Sequence, residues 1–232
     1  MNRTLGAARL HLVNPLLSLG IPWLVVLSSF AINLVVWSVT DAGGEPGGGS
    51  TGGLAALYLT VLIVFAQSIT QLLPFAMGLS VTRRTFYLGT ALVAVLESLA
   101  YGVVLTLLDA VETGTSGWGL GLHFWAPGRM DVGNPALQAL VFAGPMLACC
   151  ALGVASGVVL KRWGQLGLWT GIIALIFGTG GALALIGSLD AWRSVFDWFA
   201  DTSMAVLAFG LPLAVAAVAG LLGFAGARRI VP

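Results

Sequence analysis

Apolar residues fall into six long runs, near residues 16–38, 54–78, 86–110, 136–160, 167–189 and 204–226, and the charged residues lie almost wholly between them. A helix needs about 20 predominantly apolar residues to cross the hydrocarbon of a bilayer. The pattern therefore predicts an all-α polytopic membrane protein, with six transmembrane helices in one domain over residues 1–232. Ahead of the first run, Leu5, Ala8 and Leu12 share a helical face, with Arg3 and Arg9 able to reach water. That spacing predicts a short helix over 1–15 lying on the membrane surface. The first run continues through "LVVLSSFAINLVVW", past the length of a signal peptide, and is expected to be a retained anchor.

Charge adds direction to this pattern. Arg3, Arg9, Arg83, Arg84, Lys161, Arg162, Arg228 and Arg229 occupy alternate connections that contain no acid. The other connections hold Asp41, Glu45, Asp109, Glu112, Asp131, Asp190, Asp197 and Asp201, joined only by Arg129 and Arg193. Basic residues near helix ends stay on the cytoplasmic side, so both termini are expected there, as an even number of spans requires. Only 8% of residues are charged, against roughly 25% in a soluble domain, and mean hydropathy is +1.00. The net charge of +1 gives no reason to expect nucleic acid as a partner.

The acidic connections differ in kind. "DAGGEPGGGSTGG", residues 41–53, has the composition of a flexible linker. "GWGLGLHFWAPG", residues 117–128, offers Trp118, Phe124 and Trp125, which suit the membrane interface. "DAWRSVFDWFADTS", residues 190–203, puts Trp192, Val195, Phe196 and Phe199 at helical spacing, which predicts a short interfacial helix.

The motifs of enzyme chemistry are missing. There is no phosphate-binding G-x-x-x-x-G-K-[ST] loop and no H-E-x-x-H, and the two histidines lie in different connections. No catalytic residue, metal ligand set or cofactor is expected in this chain. Cys149 and Cys150 are adjacent in an apolar run, so they cannot bridge distant segments and read as packing residues. "GVASG", residues 153–157, and "GLWTG", residues 167–171, have the small-x-x-x-small spacing that lets helices approach closely, and both are expected to pack within one protomer.

Polar residues inside the spans are the better candidates, because ionisable groups are costly in lipid. Glu97 is the only acid within a span. At about 1.5 Å per residue it lies about 16 Å deep, and Gln67 on the preceding span reaches a similar depth, which predicts a hydrogen bond between them. Gln71 lies one turn from Gln67, and Asn33 lies nearer the other surface on the first span. Asn33, Gln67, Gln71 and Glu97 are thus the candidate polar lining of a substrate path or a seam between protomers. The bland alternative is that Glu97 and Gln67 simply lock two spans together.

The connector "FAMGLSVTRRTFYLG", residues 75–89, places Arg83 and Arg84 between the second and third spans, with Ser80 or Thr82 as a plausible helix cap. Its core, "GLSVTRRTFYLGT", resembles the corresponding connector of bacterial ABC-2 type transporter permeases. The likeness is specific in sequence over residues 80–89 and covers the whole chain in topology. The resemblance implies a short coupling helix between spans two and three that docks on a separate ATPase subunit through Ser80, Thr82, Arg83, Arg84 and Phe86. It further implies ATP and Mg on that ATPase, pairing with a second copy or a related permease, early spans at the central seam, and a bacterial cytoplasmic membrane with its lipid. The activity expected is ATP-driven export of a hydrophobic or amphipathic substrate such as a drug, peptide or lipid. The alternatives are an ion-coupled secondary transporter using Glu97 and a non-transporting scaffold or immunity protein.

Overall fold

The computed structural model describes residues 3–44, 48–127 and 132–227; the expectations placed on Glu45, Arg129, Asp131, Arg228 and Arg229 lie outside them. The described chain is almost entirely helical. Helix α1 is Arg3–Leu10 and α2 is Ile21–Val39. Helix α3, Ala55–Gln67, continues through Ser68–Leu72 into α4, Leu73–Gly78. Then follow α5, Arg83–Gly114; α6, Pro135–Ser188; α7, Trp192–Asp201; and α8, Leu211–Ala227. Among the described residues, five helical stretches are long and apolar enough to cross a membrane: Ser18–Val39, Ala55–Gly78, Arg83–Gly114, Pro135–Ser188 and Val206–Ala227. The fourth holds 54 residues and contains both the fourth and fifth predicted runs.

Three spans carry the same local device. Leu16–Gly20, Ser68–Leu72 and Val206–Gly210 are π-helical turns, and each is followed by a residue and then a proline: Pro22, Pro74 and Pro212. Proline has no N–H to donate, and its ring crowds the carbonyl four residues back. The wider turn moves the register, so that Ile21, Leu73 and Leu211 bond to carbonyls five residues earlier. These helices accommodate proline without breaking.

Glycines set the helix neighbours. Gly153 and Gly157 of α6 lie against Leu62 and Ala66 of α3, where a Cβ would meet backbone. The Tyr58 hydroxyl donates to the Phe142 carbonyl at 3.4 Å, so α3 and α6 run parallel. Gly102 of α5 meets Ala139 and Ala143, whereas Ser98 meets Cys150, so α5 runs antiparallel to α6. Gly144 meets Ala208 and Phe209, and Gly226 meets Val158, so α8 is parallel to α6. The "GVASG" prediction thus holds.

Two parallel helices joined in sequence need a segment that returns, and α6 supplies it. At Gly164 the backbone takes φ 65° and ψ −162°, a conformation open essentially to glycine alone. A straight α6 would carry Ser188 about 65 Å from Val206, whereas the linker containing α7 reaches at most about 45 Å. Helix α6 therefore folds back at Gly164. Its second half, residues 165–188, is exposed along nearly its whole length, and no other side chain lies near Gly171, Gly178 or Gly181. The "GLWTG" expectation is corrected here, since among the described residues no other helix packs against Gly171.

Arg9, Arg83, Arg84, Lys161 and Arg162 fall at the end where α1 meets the start of α5 and where α6 reverses. Asp41, Asp109, Glu112, Asp190, Asp197 and Asp201 fall at the opposite end. That acidic end is folded. Gly49–Ser50 pairs as a parallel strand, β1, with Leu122–His123, β2. The linker expected to be flexible is therefore partly ordered. Its glycines permit close approach: Gly53 lies against Phe124 and Ser29, and Gly48 has φ 73°. Phe124 and Trp125 are almost completely buried around Phe30, not spread at a lipid interface. Helix α7 forms as expected and is exposed.

Candidate functional site

The connector between α4 and α5 contains no separate helix, which corrects the expected coupling helix. Leu79 to Val81 form the turn, and Arg83 and Arg84 already belong to α5. The turn closes as a Schellman motif: Ser80 N–H donates to the Met77 carbonyl at 3.0 Å and Val81 N–H to the Ala76 carbonyl at 3.1 Å. Ser80 occupies the left-handed position, φ 60°, that glycine usually fills, so it ends α4 and does not cap α5. The cap is Thr82, whose hydroxyl accepts from Thr85 N–H at 3.2 Å. Two motifs back to back leave too few residues for a further helix. Ser80, Thr82 and Arg84 are exposed and Arg83 is half-buried, forming a polar tip. Phe86 is buried and so is not part of that surface.

Phe86 instead braces the N-terminal helix. Ala7 and Ala8 of α1 lie on Gly89, and the His11 ring sits 5.6 Å from Phe86 and 6.3 Å from Phe65. Leu5 and Leu12 face outward, so the apolar stripe read from sequence is split: its alanine packs on protein and its leucines do not. His11 Nε2 lies 3.0 Å from Thr90 Oγ1, and that hydroxyl donates to the Phe86 carbonyl at 3.1 Å. Thr90 has one proton, already used, so His11 Nε2–H is the donor. Burial lowers the His11 pKa from 6.5 to about 4, which keeps the ring neutral.

The candidate polar residues divide into three places. Gln67 and Gln71 are exposed on one side of α3 and its π-turn, and they line a cavity of about 140 Å³ with His11, Asn14, Ser18 and Ser68. Asn33 turns back on its own helix and donates to the Ser29 carbonyl at 2.9 Å, away from the other three. Glu97 lines a cavity of about 380 Å³ between the start of α2 and the middle of α5, with Trp23 and Tyr101. Its Oε1 is buried and has no hydrogen-bond partner among the described residues. The expected Glu97–Gln67 bond is therefore not formed. The buried face at the end of α3 carries Ser68, and this residue, not Gln67, shares a small pocket with Glu97, His11 and Ser18.

Reading the sequence missed several residues that organise these sites. Tyr101 stands one turn from Glu97 and stacks on Trp23 at 5.5 Å, a relation visible in the i, i+4 spacing. Glu112 was read as one acid of an external loop, yet it is 1% exposed. Its carboxylate accepts from the Trp118 indole at 3.1 Å, Phe124 N–H at 2.9 Å and Trp125 N–H at 3.2 Å. No group of three or more His, Cys, Asp or Glu suited to a metal occurs among the described residues. Comparison with protein-family models, with curated proteins and with solved structures finds no match to this chain.

Proposed function

We propose that this chain is the permease subunit of an ATP-driven exporter of the ABC-2 type, with ATP and Mg bound on a separate ATPase subunit. The single observation that carries the reading is the polar tip of Ser80, Thr82 and Arg84 between α4 and α5, presented by two capping motifs at the basic end. The docking element becomes a capped helix start in place of a free-standing coupling helix. Force applied there has a route inward, because the first turns of α5 hold α1 through Gly89, Thr90 and His11.

The proposal includes six spans with both termini cytoplasmic. In support of it, α6 and α8 run parallel, and residues 165–188 are apolar and about 36 Å long, sufficient for a return crossing between them. The site of action is then a bacterial cytoplasmic membrane. Pairing with a second copy or a related permease would cover Gln67 and Gln71, which are exposed on α3 and its π-turn. Cargo of hydrophobic or amphipathic character suits cavities with few polar groups.

The test is co-purification of an ATPase with wild type, Arg83→Gln/Arg84→Gln and Arg83→Glu/Arg84→Glu, beside a reporter of topology. The Gln pair is expected to insert normally but to hold the ATPase more weakly and lose transport-linked hydrolysis, and the Glu pair to do worse. Losing a charged pair at an interface costs roughly 2 to 5 kcal/mol when buried and much less at a rim. Full ATPase binding and transport by the Glu pair would reduce the connector to an ordinary basic loop. The unpartnered Glu97 Oε1 favours one second reading, ion-coupled transport, in which Glu97→Gln abolishes gradient-driven flux with no ATPase present.

A further inference from the structure

We infer that Glu97 is a proton-binding carboxyl served by a water path from the basic end: a wide polar cavity beside Gln67 and Gln71, then a neck between Ser18 and Ser68 that holds one water. The inference goes beyond the ATP-driven reading and does not depend on it. It concerns what reaches Glu97, whichever force moves the cargo.

Two adjoining cavities carry the inference. The first, of about 140 Å³, lies at the basic end, where Val13 and Asn14 are exposed just past α1. Most of its lining is polar: His11, Asn14, Ser18, Gln67, Ser68 and Gln71. Lipid tails could not hydrogen-bond the exposed amides of Gln67 and Gln71, whereas water can. The second cavity, of about 20 Å³, shares His11, Ser18, Val64 and Ser68 with the first and adds Glu97. A space of that size takes one water and nothing larger. Ser18 Oγ donates to the Asn14 carbonyl at 3.3 Å and Ser68 Oγ to the Phe65 carbonyl at 2.7 Å, so both hydroxyls keep lone pairs for that water. Glu97 is half-buried with Oε1 enclosed, which leaves Oε2 as the oxygen for the neck.

The narrowing decides what can travel. Cargo stops in the outer cavity, so from this side the carboxyl meets only water and the proton it carries. A proton on Glu97 Oε2 passes to the neck water, which becomes hydronium and hands a proton to the water outside; the carboxylate left behind takes one back by the same steps. The other titratable groups near Glu97 are His11 across the neck, Tyr101 on the same helix and Cys150 on α6. Helix α2 carries none, and the one on α3, Tyr58, contacts α6 instead. The phenol and the thiol are neutral at pH 7 by their ordinary values, and burial keeps His11 neutral. No Lys, Arg or second acid lines either cavity, so no fixed charge along the path holds or repels the proton.

The test follows the Glu97 carboxyl of the full chain in lipid nanodiscs by infrared spectroscopy, with Glu97→Gln identifying its C=O band. On transfer to heavy water the wild-type band is expected to shift within the mixing time. Ser68→Val, which fills the neck and removes a hydroxyl, should slow that shift at least tenfold. Ala100→Leu, which narrows the separate cavity of Trp23 and Tyr101, should leave it unchanged. Slowing by Ala100→Leu and not by Ser68→Val would move the entrance to that other cavity and overturn the proposal. So would a band that does not exchange, or no Glu97-dependent band at any pH between about 4 and about 9. A second measurement decides if Ser68→Val does not fold. With Cys149 and Cys150 replaced by alanine, Gln67→Cys should react with silver ion and with a bulky cationic thiosulfonate added at the basic face, and Glu97→Cys with silver alone. Reaction of Glu97→Cys with the bulky reagent, or with neither, would overturn the one-water neck. No ATPase is present, so the result stands apart from the ATPase binding measured for the Arg83 and Arg84 variants.

Discussion

Glu97 and Glu112 stand on the same helix and show how differently one residue type can be placed. Glu112 is enclosed by three N–H donors, whereas Glu97 Oε1 has none. Glu112→Gln keeps the shape but turns an NH₂ group toward donors. We expect a loss of about 3 kcal/mol, with residues 115–127 opened to protease; unchanged resistance would remove the carboxylate from its structural role. His11 gives a pH dependence whose sign follows from its lowered pKa. A released ring binds a proton near 6.5 and the docked ring only near 4. The neutral docked form therefore stabilises fully above about pH 6.5, and that stability, at most about 3 kcal/mol, is lost as pH falls toward 4. Melting of wild type and His11→Gln between pH 4 and 7.5 checks this: the slope should be steeper for wild type.

Among the elements, spacing in the sequence was informative wherever a run of side chains repeats one property. Four of the five long helical stretches each follow one predicted run, because length and apolarity suffice to define them, while the fourth joins two runs in one helix. Which way a given residue points on its helix was less legible. Gln67 and Ser68 are neighbours at equal depth, and a π-turn begins between them, so a count of residues gave the level of Gln67 but not its face. The acidic-end cap was not legible at all, because β1, β2 and Glu112 meet only through contacts between distant loops. The two small-residue motifs look alike in sequence and differ only in having a neighbour. Gly157→Leu should force α3 and α6 apart and cost about 1 to 3 kcal/mol, while Gly171→Leu should leave the melting temperature within error. Equal losses at both positions would show that residues 165–188 are packed as tightly as the rest.

At the scale of the whole molecule, the separation of basic and acidic ends and the reversal of α6 make one joint statement about sidedness. Single cysteines at Arg162 and at Asp190 should react with a membrane-impermeant thiol reagent from opposite faces of the membrane. Labelling of both from one face would mean that residues 165–188 do not cross. Cross-linking between copies is expected through Gln67 or Gln71 and not through Gly157, which is already occupied by α3.

Gly164 has a further consequence during synthesis. Without a reversal there, the 54 residues of α6 would form a rod of about 80 Å, more than twice the bilayer core, and the machinery inserting the chain would meet no instruction to stop. In the proposed six-span topology the Lys161 and Arg162 charges would mark the retained side, and Gly164 would let the backbone turn around. A bulky residue at this position should therefore act late in biogenesis: a reporter fused after residue 190 would change sides or be degraded, while the helices already inserted keep their order.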